Sequence, residues 1–277
     1  MIETLFENVQ QQAPLIHNIT NYVTVNDCAN ILLACGASPI MADDPAEVAD
    51  IQAICSGLNI NIGTLNERTI PAMFSAGECA VRLGHPLLLD PVGAGASALR
   101  TRTALQLMEK LPFTVIRGNI SEIKTLALGT GSTNGVDASE IDAVNDMNLD
   151  DAIQLARDFS ARTKAVIAIT GAIDIVTTPE KTYIIRNGHP WMSRITGSGC
   201  MLSALMTAWV AANPAARLDA AAAAVCAMGL CGEIAAKRLR PEDGNASYRS
   251  YLIDAVCNLQ GHILAKEARY EVLYEMR

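Results

Sequence analysis

Aromatic residues make up only 4% of the 277-residue chain and charged residues 18%, while half of all residues are apolar. A chain so poor in rings builds its core from aliphatic side chains and alanine, which suits helices packed closely on a sheet. Basic residues are in the minority: 21 Lys and Arg against 29 Asp and Glu leave a formal charge of −8. That balance argues against nucleic acid and anionic membranes as partners, without excluding a local basic site. Eight cysteines stand at 28, 35, 55, 79, 200, 226, 231 and 257, yet none forms a CxxC pair and no His pair stands at zinc spacing. Most lie in apolar stretches, where Cys behaves as a small hydrophobe, so a reducing cytosol without disulfides is expected. The opening MIETLFENVQ carries acids and lacks the basic-then-apolar pattern of a secretory signal, which again points to the cytoplasm. The alanine-rich run 220–232 is shorter than the roughly 20 residues that span a bilayer and is bounded by Asp219 and Glu233, so a buried helix is expected. No linker, low-complexity tract or repeat divides the sequence, and one domain over residues 1–277 is the expectation.

Short apolar runs alternate with helical spacing. PIMA (39–42), LNINIG (58–63), PLLLD (86–90), FTVIR (113–117) and AVIAIT (165–170) read as strands. IDIVTT (173–178) and KTYIIR (181–186) read as a hairpin around Pro179 and Glu180. Between the first five strands lie helical stretches near 45–56, 67–83, 99–110, 121–128 and 150–161, and the last third from Ser198 reads as almost all helix. Strand–helix alternation means an α/β fold, with a mostly parallel central sheet flanked by helices on both faces.

In an open parallel sheet, ligands bind outside the carboxyl ends of the strands. Met41 with Asp43 and Asp44 following, Gly63, Asp90, Arg117 and Thr170 all fall at such ends. DPVGAGAS (90–97) places Asp90 at a strand end before a glycine-rich loop, where a lone Asp could also cap the next helix. In RGNISEI (117–123), Arg117 ends a strand, Asn119 can cap the following helix, and Glu122 stands at the N3 position of a capping box. TGAID (170–174) supplies the Thr170 hydroxyl beside bare backbone, or a tight turn before the hairpin. RITGSGCMLSA (194–204) offers Gly197, Ser198 and Gly199 as a tight turn into a helix whose free N–H groups and positive dipole end can hold an anion. The bland alternative is an ordinary capped loop. It is neither a Walker A loop, lacking Gly-Lys-Ser/Thr, nor a dinucleotide fingerprint, since no strand leads directly into it. HNITNYVTVND (17–27) crowds His, Asn and Thr among apolar residues, a density that caps helices or lines a pocket. Two carboxylates, Asp90 and Glu122, beside a phosphate cradle suggest Mg²⁺, which prefers carboxylates, waters and substrate phosphates.

In this order, HNITNYVTVNDCAN, ASPIMADDPAE, LLLDPVGAGAS, RGNISEI, ITGAID and RITGSGCMLSA resemble the hydroxyethylthiazole kinases, members of the ribokinase-like superfamily. The resemblance runs from about residue 14 to 236. It departs in reading ITGSGC where the family has a GTGSGC-type loop. What it implies is ATP-dependent phosphorylation of the primary alcohol of 4-methyl-5-(2-hydroxyethyl)thiazole, a salvage step toward thiamine. By motif position Met41 looks like a thiazole contact, with Asn18 on the same side, and Gly197 lies near the reacting hydroxyl. Arg117, Thr170 and Asn119 fall on the ATP side, and Asp90 and Glu122 look like the acids that organise Mg²⁺. The family forms trimers with sites between neighbouring subunits. Cys200 stands where the substrate hydroxyl loses its proton. A helix N-terminus can lower a thiol pKa, so Cys200 reads either as a weak base or as a group that orients the hydroxyl. Hydroxymethylpyrimidine or pyridoxal kinases and nicotinamide-hydrate dehydratases are rival readings that expect Asp at position 200. A non-catalytic ATP-binding sensor is a further rival, and it would have lost an acid.

Overall fold

The apolar runs become strands, each within two residues of its expected bounds. The computed structural model describes residues 1–129 and 143–275. Among these, nine strands form one sheet: β1 (Leu15–Ile19), β2 (Ser38–Met41), β3 (Gly57–Asn61), β4 (Leu87–Asp90), β5 (Val115–Gly118), β6 (Val166–Ile169), β7 (Asp174–Thr177), β8 (Lys181–Ile185) and β9 (Tyr270–Tyr274). The spatial order is β2-β1-β3-β4-β5-β6-β7-β8-β9. The first six are parallel, and the last three are added antiparallel, with the hairpin turning between Thr177 and Thr182 as expected.

Side chains alternate across the sheet and are apolar on both sides, the signature of a sheet covered twice. Leu88, Val115, Val166 and Ala168 join one core. Leu87, Leu89, Ile116 and Ile167 join the other. The second core is closed by α3 (Val48–Ile54), α4 (Thr69–Leu83), α5 (Ala98–Lys110), α6 (Ile120–Leu128) and α7 (Leu149–Thr163). The first is closed by α1 (Ile2–Gln12), α2 (Val25–Ala34), α8 (Ser198–Ala212), α9 (Arg217–Arg238), α10 (Asn245–Cys257) and α11 (Gly261–Glu267). Nearly every side chain of α8 is buried, because the sheet lies on one side and α2 and α9 on others.

Three features differ from the sequence reading. LIHNI forms β1, although its polar residues suggested caps or a pocket; His17 is satisfied inside the protein by Gln52 and the Ala42 carbonyl. YEVLY forms the edge strand β9 within the stretch expected to be helical, because its alternating aromatic and β-branched residues pair with β8. Finally, α9 is 22 residues long, so length does not separate it from a membrane span. Burial does: 78% of its apolar window lies inside the protein.

The chain runs from β1 outward to β2 and then back across to β3, so the strand order reverses at β1. That switch opens a crevice at the carboxyl ends of β1 and β3.

Candidate active site

Asp90 is the last residue of β4 and stands in register beside Asn61 of β3. It is wholly buried. Its Oδ2 accepts an N–H from Asn61 at 2.8 Å and the hydroxyl of Ser203, on α8, at 2.8 Å. The Arg117 guanidinium lies 3.7 Å away, while Oδ1 is buried with no hydrogen-bond partner. Burial pushes the Asp90 carboxyl above its ordinary range, opposed by Arg117, Ser203 and Asn61.

Glu122 does what its spacing forecast. Asn119 caps α6 through its side chain, and Glu122 reaches back to the Asn119 N–H at 2.8 Å. Its other oxygen accepts the Gly93 N–H at 2.8 Å, so the carboxylate ties the loop after β4 to the start of α6. Burial first, and then the neighbouring Asp90 charge, push Glu122 up to about 7. These acids fit a divalent cation in one respect: a buried carboxylate oxygen with no partner is left over. They do not form a cage, and no cluster of three or more ligating side chains occurs among the described residues. That is the pattern of Mg²⁺, which brings its own waters and takes its remaining oxygens from phosphate.

The start of α8 is the complementary half. Gly197 precedes it at φ 84°, a left-handed conformation, with no side-chain cap on the helix. A Cβ at 197 would sit 2.4 Å from Thr24 Cγ2, so both backbone shape and space demand glycine. A Cβ at Gly199 would come within 2.6 Å of Arg117 Nη1, so the guanidinium lies close against the first turn. A positive side chain and a positive helix end thus converge on one spot, an arrangement that favours an anion there. Arg117 also donates to the Thr170 hydroxyl. Arg117, Thr170, Ser198 and Gly199 line a cavity of about 570 Å³, with Asp174 and His189 also on its wall. Burial raises Asp174 to about 7 against the pull of Gly171 and Arg117.

Cys200 sits in the first turn of α8, but its thiol is pushed up rather than down. Burial is the main cause and the Asp90 charge the second; they outweigh Thr24, Asn21 and Arg117. The expected lowering by the helix end is therefore overturned. Two amide groups donate to its sulfur, Asn21 at 3.2 Å and Asn61 at 3.3 Å.

The substrate-side expectations separate. Asn18 and Met41 are register partners on adjacent strands. Met41 is half-buried at the sheet edge. Asn18 is buried, donating to the Ile16 carbonyl and accepting from Asn59 at 2.9 Å, so its amide braces the sheet. Asn21, in the same segment, is the residue that reaches Cys200. Asn119 serves as a helix cap and is not on the cavity wall. Sequence reasoning passed over Asn61 and Ser203. A signal for the former existed: LNINIG alternates, so Asn59 and Asn61 share one face of a fully buried strand, where an amide needs a partner.

Residues 6–262 match the hydroxyethylthiazole kinase family. The chain belongs to the hydroxyethylthiazole kinase family. Relatives in this family include the hydroxyethylthiazole kinase of Clostridium acetobutylicum, 63% identical over 98% of this chain and 99% of that protein. The solved hydroxyethylthiazole kinase protein of Pyrococcus horikoshii shares the structure at a TM-score of 0.86, with 32% identity and 98% of each chain covered. Pyridoxal kinase from Staphylococcus aureus superposes at a TM-score of 0.59 with 15% identity, covering 95% of this chain and 99% of that one; this likeness is one of fold alone. The chain is accordingly a kinase with an alcohol acceptor.

Proposed function

We propose that this chain transfers the γ-phosphoryl group of ATP to the hydroxyl of 4-methyl-5-(2-hydroxyethyl)thiazole, giving the thiazole phosphate used in thiamine synthesis. The observation that carries this reading is the convergence of Arg117 and the uncapped start of α8 beside Asp90. Phosphoryl transfer passes through a loose transition state, so positioning and charge stabilisation dominate its catalysis. The N–H groups of Ser198, Gly199 and Cys200 hold the equatorial oxygens of the γ-phosphoryl group, as an oxyanion hole does. Arg117 and Thr170 hold the nucleotide side, and the cavity they line takes the rest of ATP. Asp90, and Glu122 through the loop it braces, would hold Mg²⁺ with water between. Bound there, the ion supplies neutralisation of phosphate charge. The alcohol oxygen forms the new bond to phosphorus while the bond to the ADP oxygen breaks, and the alcohol proton leaves to a phosphoryl oxygen or to water.

Met41 and the turn after β1 face the alcohol's side of the crevice. There Tyr22 and Val23 are 75% and 58% exposed, in a turn whose Tyr22 N–H donates to the Thr64 hydroxyl beyond β3 at 3.2 Å. Such apolar exposure beside the pocket supports a neighbouring subunit closing it, and we take the working unit to be a cytoplasmic homotrimer of single-domain chains. The test is ADP release with a panel of heteroaromatic alcohols, with and without Mg²⁺. Turnover of the thiazole alcohol alone, dependent on the ion, is expected. Robust turnover of pyridoxal or hydroxymethylpyrimidine with none of the thiazole would overturn the reading.

A further inference from the structure

Two buried amides beside Cys200 have no part in the mechanism so far. We propose that Asn21 and Asn61 are positioning residues that hold Cys200 as a hydrogen-bond donor, its S–H turned away from them and toward the reacting alcohol oxygen. The inference rests on the reading of the α8 start as the reacting site.

The argument is an inventory of donors and acceptors. The two N–H groups of Asn61 go to Asp90 Oδ2 at 2.8 Å and to Cys200 Sγ at 3.3 Å. Its Oδ1 accepts from Asn21 at 3.1 Å and from the Gly63 N–H at 2.9 Å. Asn21 divides its own N–H groups between Asn61 Oδ1 and Cys200 Sγ. Its Oδ1 accepts the N–H and the hydroxyl of Thr24, at 3.1 and 3.0 Å. Both amides are therefore committed on every side. Turning Asn61 over would set its oxygen against the Asp90 carboxylate and its NH₂ against the Gly63 N–H, so its orientation is determined by the network.

The sulfur consequently faces two N–H donors, which occupy it as an acceptor. Neither amide offers an acceptor to its proton, and the Thr24 hydroxyl beside it is already committed to Asn21 Oδ1. Burial favours the neutral S–H form, so a proton acceptor is the wrong description of this thiol. As a donor, the S–H engages one lone pair of the alcohol oxygen and leaves another aimed at phosphorus. No bond to sulfur forms or breaks, and the alcohol proton leaves as described above.

Steady-state kinetics on Asn21→Ala, Asn61→Ala, Cys200→Ala, Cys200→Ser and the two Asn–Cys200→Ala doubles test this. Each Asn variant is expected to lower kcat by about tenfold, the weight of a hydrogen bond, with KM for ATP unchanged. Most of that loss should vanish in the Cys200→Ala background. Cys200→Ser, which keeps a donor but not an accessible base, should stay within a few-fold of the native enzyme. The S–H stretching band identified by its loss in Cys200→Ser should move to lower frequency when the alcohol is added, a shift a purely structural role would not produce. Asn21 does not touch Asp90, so it supplies the answer should Asn61→Ala fail to fold. Additive losses in the doubles, an inert Cys200→Ser, or an unmoved S–H band would each overturn the inference. With Asp90→Asn inactive, such results sink this inference alone; with Asp90→Asn fully active, the site itself is misplaced and the inference falls with it.

Discussion

Replacing Asp90 by Asn removes one charge and almost no volume. The amide oxygen can take the place of Oδ2 and keep the hydrogen bonds from Asn61 and Ser203. The new NH₂ falls where Oδ1 now lies buried and unpartnered. Two electrostatic effects then compete. The attraction to Arg117 at 3.7 Å is lost; at an effective dielectric of about 20 it amounts to about 4 kcal/mol. Against this, the burial of an ionised carboxylate no longer opposes folding, an effect of several kcal/mol. Burial is the larger of the two, because it is what raises the Asp90 carboxyl despite the guanidinium. Arg117 also keeps Glu122 and Asp174 as neighbouring charges. The variant should therefore unfold within about 1 kcal/mol of the native protein in urea at pH 8, rather than at the 3–5 kcal/mol cost of a broken buried pair. Its turnover should fall by at least 10- to 100-fold, the range for losing a group that orients a metal's ligands. Coupled ADP release at saturating Mg²⁺ and urea unfolding of the same preparation measure both. Near-native turnover would refute the metal assignment, and a stability loss of about 3 kcal/mol or more would refute the burial argument.

Glu122→Gln should behave differently: one of the Gly93 and Asn119 N–H groups then faces an NH₂, so about 1–3 kcal/mol of stability is lost along with activity, readable by urea unfolding. Gly197→Ala combines about 1–2 kcal/mol for the left-handed backbone with about 1–3 kcal/mol of overpacking against Thr24, and calorimetry should find a loss of that combined order. Displacing Thr24 also disturbs Asn21, so kcat should fall with it. Glu122 and Asp174 are both raised to about 7 when folded, so the folded chain holds protons that the unfolded chain has released. Their stabilisation is complete below about pH 4 and is lost as pH rises toward 7. Mg²⁺ with ATP should consequently raise the unfolding midpoint more at pH 8 than at pH 6, and an equal shift at both would count against Glu122 as an acid that organises the metal.

Local spacing determined much of this protein. Short apolar runs produced seven of the strands, the Pro179–Glu180 hairpin is a contact between near neighbours, and N-x-x-E at 119–122 became a capping box because both partners lie on one helical turn. The convergence of Asp90, Arg117 and Thr170 was legible too, since parallel strands send all their carboxyl ends to one edge. What only the tertiary structure decided depends on contacts between distant parts of the chain. Tyr270–Tyr274 becomes a strand only because β8 offers its edge. The polar LIHNI is a strand only because Gln52, Ala42 and Asn59 satisfy its buried groups. Cys200 lies 179 residues from Asn21 and 139 from Asn61, and no local pattern announces that their amides meet its sulfur. Its proton affinity followed from the same packing: the helix end is a local feature, whereas burial and the Asp90 charge come from the sheet, and in a water-poor interior they prevail.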